Sequence, residues 1–224
     1  MIKATAFDID NTIYDYSGCE KTALAELSRF ACDKYSLSSG EFTQRFDAAR
    51  AYVKSSLGEN VAASHNRMLY MQKFLENMGQ LPAKGAIELY DVYWNSILEN
   101  MEPFPYVLPL MKYLKEHNIR IGMLTDMTVL IQHRKIERLG LENYVEVLVT
   151  SEEAGAEKPS VAAYDLLVSK FDMDRENILM IGDSLKKDVE GAMNSGLKAL
   201  LYKNEYSDIM DKMVIKMIEE FHSL

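Results

Sequence analysis

The sequence predicts an α/β fold, a doubly wound parallel sheet with an all-helical domain inserted after its first strand. A short apolar segment, Ile2–Ile9, opens the chain as a buried strand. Residues 17–100 then show a run of helical patterns with no convincing strand. From residue 101 to 224, strand and helix patterns alternate, which is typical of βαβ units with helices on both faces of a sheet. We therefore assign residues 1–16 and 101–224 to the core and 17–100 to the insertion.

The inserted block contains four predicted helices. Two begin with a capping-box pattern, at Ser17–Glu20 and at Ser38–Glu41. The other two, Ser64–Met78 and Lys84–Asn100, follow from the helical spacing of their apolar side chains. The block therefore forms a domain of its own.

The second part of the core alternates strands and helices. Prolines at positions 103, 105 and 109 mark its start, since proline breaks a preceding helix and suits a first helical turn. The predicted strands are Ile119–Leu124, Val145–Val149, Ile178–Ile181 and Leu197–Leu201. The predicted helices are Leu108–His117, Thr128–Leu139, Ser160–Phe171, Leu185–Ser195 and Asp208–Leu224.

Composition and charge exclude several classes of function. The 224 residues carry 25 Lys and Arg against 34 Asp and Glu, a net charge of −9, and 48% of them are hydrophobic. This is the composition of an ordinary globular protein, and the lack of a basic run argues against nucleic-acid binding. No apolar stretch approaches the roughly 20 residues of a membrane span. Asp8 and Asp10 interrupt the N-terminus before a signal peptide could form, so we expect a cytoplasmic protein.

The predicted strands deliver polar side chains to one edge of the sheet. In an open parallel sheet, ligands bind at the carboxyl ends of the strands. In chain order, the residues at these ends are Asp8 and Asp10, Thr125 and Asp126, Lys158, and Asp183 with Asp188 one helical turn later. A single D-x-D is weak evidence, because Asp172 and Asp174 repeat it in what we interpret as a solvated turn. The ordered set predicts one site with carboxylates, a hydroxyl and a lysine.

Four segments together resemble the haloacid dehalogenase-like hydrolase superfamily. They are FDIDNTIYD, MLTD, EKPS and IGDSLKKD, and they cover all four signature positions of that superfamily. The helical block over residues 17–100 is similar to the cap that the helical-cap subfamily carries at this point. The resemblance implies a Rossmann-like core and a phosphatase that depends on Mg²⁺.

The resemblance also implies a role for each carboxylate. Asp8 is the nucleophile that forms an aspartyl-phosphate, and Asp10 protonates the leaving oxygen and later activates water. Mg²⁺ binds Asp8, the backbone carbonyl of Asp10, and Asp183, because this ion prefers oxygen ligands. Asp188 lies beside these ligands and holds a metal-bound water or Lys158.

Lys158 and Thr125 are then the expected partners of the transferring phosphoryl oxygens. Position 126 departs from the family, since Asp126 stands where Asn is usual. Asp126 is a candidate for substrate binding, and its carboxylate is expected either to repel phosphate or to contact the cap. Tyr14 and Tyr16 follow the nucleophile and are further candidates for substrate binding. Asn11 replaces the commonest residue, Gly, and tolerates the unusual backbone angles of such a turn.

The predicted activity is hydrolysis of a small phosphomonoester, either a sugar phosphate or a nucleotide. A phosphomutase on the same fold is an alternative that cap residues decide. A haloacid dehalogenase is a second alternative, against which Asp10 and the pair Asp183 and Asp188 argue. A catalytically silent binding protein is a third, and the presence of Asp8, Asp10 and Lys158 opposes it.

Overall fold

The computed structural model describes residues 1–58, 61–203 and 209–222. The chain divides into two compact units. One consists of Met1–Asp15 and Glu102–Leu224 and is called the α/β unit below. The other, Tyr16–Met101, is called the helical unit.

The α/β unit contains a five-stranded parallel sheet. Its strands are β1 (Ala4–Phe7), β2 (Arg120–Thr125), β3 (Val147–Thr150), β4 (Ile178–Gly182) and β5 (Lys198–Leu201). The strand order is β3-β2-β1-β4-β5, and every pair is parallel. The chain thus builds the sheet first to one side of β1 and then to the other. This confirms the predicted doubly wound fold, in which ligands bind where the strand order reverses.

The α-helices in chain order are α1 (Tyr16–Tyr35), α2 (Ser39–Leu57), α3 (Arg67–Asn77), α4 (Ala86–Asn100), α5 (Val107–Glu116), α6 (Val129–Arg138), α7 (Ser151–Ala154), α8 (Val161–Phe171), α9 (Gly191–Asn194) and α10 (Met210–His222). Three 3₁₀ turns lie at Ala62–His65, Pro82–Lys84 and Arg175–Asn177. None of the helices within the described residues has the length and apolarity that a membrane crossing requires.

The central strands β1 and β4 are buried on both faces, as a doubly wound sheet requires. All four residues of β1 and all five of β4 are buried. Phe171 of α8 packs against Gly122 of β2, where an added Cβ would lie 2.6 Å from the Phe171 ring. Burying one such aromatic side chain contributes about 1.5–3 kcal/mol. The glycine in β2 therefore makes room for a large core residue.

Four local predictions meet different outcomes. The capping box at Ser38 is confirmed, since Ser38 Oγ accepts from the N–H of Glu41 and the Glu41 carboxylate accepts from the N–H of Ser38. The box predicted at Ser17 is wrong, because α1 already begins at Tyr16. The predicted α-helix at Leu185 begins instead as a π-helix, Leu185–Glu190. The predicted start of the last helix, Asp208, lies outside the described residues.

The helical unit holds a buried arginine among polar side chains. Arg67 at the start of α3 donates to Glu20 Oε1 at 3.2 Å and to the Tyr93 hydroxyl at 3.3 Å. It also contacts the hydroxyl of Tyr16. Burial opposes the charge, but the neighbouring tyrosines and Glu20 hold the pKa of Arg67 well above its ordinary value. Glu20, predicted to cap α1, instead serves this buried network.

Candidate active site

The site begins at the carboxyl end of β1. Phe7 is aligned with Met123 of β2 and with Ile181 of β4, so the residues after these three strands share one edge. Asp8 follows β1 directly, and the chain turns sharply after Asp10. Asn11 at this turn has a φ of 61°, in the left-handed region that Asn tolerates better than most residues. Asn in place of Gly therefore suits the turn, as predicted.

Lys158 joins two of the predicted carboxylates. Its ammonium lies 2.7 Å from Asp8 Oδ1 and 2.6 Å from Asp188 Oδ1, and only 3% of its side chain is exposed. Burial disfavours the charge, but Asp8 and Asp188 outweigh that effect and hold the pKa of Lys158 well above its ordinary value. The structure thus brings together residues that are 150 and 30 positions apart in the chain.

The π-helix after β4 positions Asp188. Its Oδ2 accepts from the backbone N–H of Ser184 at 2.9 Å, and Oδ1 accepts from Lys158. A Cβ on Gly182, the last residue of β4, would lie 2.3 Å from Asp188 Oδ2. Only glycine leaves space for the carboxylate there. Gly182 is therefore required for steric reasons, and Asp183 after it is required for the carboxylate that it supplies.

Three carboxylates converge on one point. Asp8, Asp183 and Asp188 each offer an oxygen, and these oxygens lie within 4.8 Å of one another. Burial, together with the negative charges of Asp188 and Asp10, raises the pKa of Asp8 to about 8, although the positive charge of Lys158 opposes this shift. Burial and Asp188 likewise raise the pKa of Asp183. Three oxygen donors with this mutual repulsion suit Mg²⁺, whose charge offsets theirs.

Thr125 ends β2 at the same edge and is almost fully buried. Its hydroxyl accepts from Gln132 Nε2 at 2.9 Å, so Gln132 of α6 fixes the orientation of Oγ1. Sequence reasoning missed Gln132. The available signal was a polar residue beside Ile131 on the buried face of an amphipathic helix.

Asp126 is bound on both of its carboxylate oxygens. Oδ1 accepts from the backbone N–H of Lys158 at 3.0 Å, and Oδ2 accepts from Lys187 Nζ at 2.7 Å. Lys187 also lies 3.4 Å from Glu157 Oε2. The charge of Asp126 is therefore compensated inside the α/β unit. Its substrate-binding role stays a prediction, while its observed contacts hold the loop that carries Lys158.

Asp10 and Tyr14 contact each other. The Tyr14 hydroxyl donates to Asp10 Oδ1 at 2.8 Å, and the Tyr14 ring is fully buried. Lys135 Nζ lies 2.6 and 2.8 Å from the two Asp10 oxygens. Tyr16, the other predicted tyrosine, belongs to the helical unit, where its hydroxyl contacts Glu20 and Tyr93. Neither tyrosine's predicted substrate contact is tested by these geometries.

Sequence reasoning also missed Lys135 and Lys187. Lys135 occupies the buried face of α6, four residues after Ile131, where a charged side chain needs a partner. Lys187 lies within IGDSLKKD but has no distinguishing feature in the sequence. Their carboxylate partners are 125 and 61 residues away, so only the folded chain reveals them.

Comparison with known proteins identifies the family. The family model of haloacid dehalogenase-like hydrolases matches residues 2–196. The chain belongs to this family. As a haloacid dehalogenase-like hydrolase, it carries the four predicted segments at the ends of β1, β2 and β4 and in the loop of Lys158.

Two curated relatives of this hydrolase are named phosphatases. A ribulose-1,5-bisphosphate 5-phosphatase of Halopiger xanaduensis is 37% identical over 211 residues, which is 93% of this chain and 88% of the relative. A glyceraldehyde 3-phosphate phosphatase of Methanothermobacter thermautotrophicus is 30% identical over 210 residues, again 93% and 88% of the two chains. These similarities support a phosphatase enzyme.

The fold is shared with solved structures. A 2-haloacid dehalogenase from Pseudomonas syringae superimposes with a TM-score of 0.76, at 22% identity over 90% of this chain and 86% of that one. At this identity the similarity shows the hydrolase fold alone.

Proposed function

We propose that this protein is a Mg²⁺-dependent phosphatase that hydrolyses a small phosphomonoester through an aspartyl-phosphate on Asp8. The observation that carries the proposal is the buried Lys158 ammonium held between Asp8 and Asp188, next to the Asp183 carboxylate. A phosphoryl group brings several negative oxygens to this point, and a fixed ammonium attracts them. The phosphatase names of the two curated relatives support the same chemistry.

Mg²⁺ would be held by Asp8, Asp183 and the backbone carbonyl of Asp10, with Asp188 beside them. Its chemistry there is the neutralisation of charge on the phosphoryl oxygens. The oxygen donors of the cluster fit this ion, because the oxygens of Asp8, Asp183 and Asp188 lie within 4.8 Å of one another.

The chain's own residues then divide the work. Asp8 attacks phosphorus with a carboxylate oxygen while the bond to the leaving oxygen breaks. Lys158 and the Thr125 hydroxyl bind the phosphoryl oxygens and keep the group in line with Asp8. Asp10 enters the reaction with its carboxyl group protonated, gives that proton to the leaving oxygen, and as a carboxylate then takes a proton from the water that hydrolyses the aspartyl-phosphate.

The carboxylate set favours this reaction over dehalogenation. The second carboxylate of the D-x-D, Asp10, and the pair Asp183 and Asp188 serve proton transfer and a cation, which dehalogenation in this family does not need. A sugar phosphate is the substrate class to test first, because the 37% identical relative is named for a phosphorylated sugar.

Two further parts of the proposal concern the helical unit and the cell. We propose that the helical unit is the cap that selects the leaving group, since the residues named above serve only the phosphoryl group, the cation and the leaving oxygen. We also assign the protein to the cytoplasm. The thiols of Cys19 and Cys32 are reduced, which is compatible with a reducing compartment.

The decisive experiment measures phosphate release with Mg²⁺ from ribulose-1,5-bisphosphate, glyceraldehyde 3-phosphate, a nucleoside monophosphate and p-nitrophenyl phosphate. Asp8→Asn should abolish release from every substrate, because an amide is not a competent nucleophile. Asp174→Asn, in the second and exposed D-x-D, is the matched control and should retain full activity. Equal release by wild type and Asp8→Asn would overturn the proposed nucleophile.

A further inference from the structure

Lys135 is a charged side chain in a fully buried position. None of its side chain is exposed, and its ammonium lies 2.6 Å from Asp10 Oδ1 and 2.8 Å from Oδ2. The same ammonium lies 3.9 Å from the sulfur of Met127 and 5.9 Å from the centre of the Tyr14 ring. Lys135 thus bonds both oxygens of the Asp10 carboxylate.

Fold stability is a poor explanation for this ion pair. Removing an ammonium from water costs several kcal/mol, and a well-packed apolar side chain of similar volume often serves stability as well or better. Of the other buried positions of α6, Ile131 and Ile136 are apolar, and Gln132 is an uncharged residue that bonds Thr125. The charge at position 135 therefore has another role. It binds the carboxylate of Asp10, the residue that transfers the proton in the proposed reaction.

Three hydrogen bonds fix the Asp10 side chain. Two come from Lys135 and one from the Tyr14 hydroxyl, which lies 2.8 Å from Oδ1. The Asp10 side chain is still 20% exposed. We infer that Lys135 is a positioning residue, assisted by Tyr14, that holds the Asp10 carboxylate in the orientation from which it reaches the leaving oxygen.

The inference rests on the proposed phosphatase function and makes it more specific. Proton transfer needs the acid within hydrogen-bond reach of the leaving oxygen, and a well-placed general acid contributes about 10²–10⁴-fold in rate. An alkoxide leaving group needs that proton. A p-nitrophenolate does not, so its departure is insensitive to where Asp10 points. Loss of Lys135 should therefore slow alkyl phosphates selectively.

The experiment compares kcat/KM on p-nitrophenyl phosphate with kcat/KM on the alkyl phosphate that the wild type hydrolyses fastest. Lys135→Met keeps an unbranched side chain, one atom shorter, and removes the charge. Its kcat/KM on the alkyl phosphate should fall at least about tenfold more than on the aryl phosphate. Lys170→Met is the matched control, since Lys170 pairs with Glu153 on the surface of the same unit and should leave the ratio unchanged.

Two further variants test whether the effect passes through Asp10. In an Asp10→Asn background, Lys135→Met should cause no additional loss of selectivity, because the residue it positions is already disabled. Tyr14→Phe removes one hydroxyl and should shift the same ratio in the same direction by a smaller factor. This second variant decides the matter if Lys135→Met fails to fold in a thermal unfolding assay.

The outcomes separate the inference from the function beneath it. Suppose that the wild type is active and that Lys135→Met, or Tyr14→Phe in its place, lowers kcat/KM on both substrates by one common factor. This result would overturn the positioning role and leave the proposed phosphatase function standing. An additional selective loss in the Asp10→Asn background would also overturn it. A wild type inactive on every phosphate would overturn the proposed function and the inference together.

Discussion

Lys187 Nζ lies 2.7 Å from Asp126 Oδ2, and this pair accounts for the departure from the family pattern at position 126. Where the family usually has a neutral Asn, this chain has a carboxylate with a cation beside it. The other Asp126 oxygen accepts from the backbone of Lys158 at 3.0 Å. The position therefore still supports the loop of Lys158, the proposed phosphate-binding lysine, while its negative charge is balanced within the unit.

Breaking this pair should weaken substrate binding. Lys187→Met leaves the Asp126 carboxylate without its cation beside the phosphoryl site, and repulsion should raise KM. Because 38% of the Lys187 side chain is exposed, solvent screens the pair, and we expect a coupling of about 1 kcal/mol, or about fivefold in KM. The double variant with Asp126→Asn should recover most of the loss. A double variant as poor as Lys187→Met alone would refute the compensation.

Metal removal should abolish activity and lower stability. Treatment with a chelator leaves Asp8, Asp183 and Asp188 without an added cation, and Mg²⁺ should restore turnover and raise the melting temperature. Asp183→Asn should raise the Mg²⁺ concentration needed for half activity by at least about tenfold, since even groups outside the metal shell cost about 10–100-fold in affinity. Asp174→Asn should not change it. Full turnover in excess chelator would contradict the cation site.

Glu157 should make stability depend on pH. Burial and Asp126 raise its pKa above the ordinary 4.5, against the attraction of Lys187. A raised pKa in the folded state gives stability that is present at low pH and is lost as the pH rises through it. Glu157→Gln removes that loss. The melting temperature of the variant, minus that of the wild type, should therefore increase from pH 4.5 to 7.5, whereas a constant or falling difference would contradict the raised pKa.

Substitutions in the helical unit should change substrate preference. Tyr16→Phe removes a hydroxyl that contacts Glu20 and Tyr93, and Arg67 bonds the same group. If this unit selects the leaving group, the variant should alter relative kcat/KM among natural phosphates far more than for p-nitrophenyl phosphate. Lys158→Ala should lower kcat/KM on all substrates together. A common factor for Tyr16→Phe across the panel would show that selection lies in the α/β unit.

Patterns local in the sequence were sufficient for the fold class and for most elements. The alternation of apolar strands with amphipathic helices predicted the parallel sheet, because both patterns follow from which faces are buried. The capping box at Ser38 was predictable because its two bonds join residues only three positions apart. The π-helix at Leu185 was not predictable. Within it, Asp188 packs closely against Gly182, a contact that local propensity does not set.

The sequence by itself determined which chemical groups arrive at the edge of the sheet. Asp8, Thr125 and Asp183 end or follow buried strands, and parallel strands end at one edge. Only the tertiary structure decided how the groups at this edge are held. Lys135 donates to Asp10, Lys187 donates to Asp126, and Gln132 donates to Thr125. A strand end is marked by a change in local pattern. The partner of a buried charge is chosen by proximity in the folded chain, and no local pattern in the sequence records it.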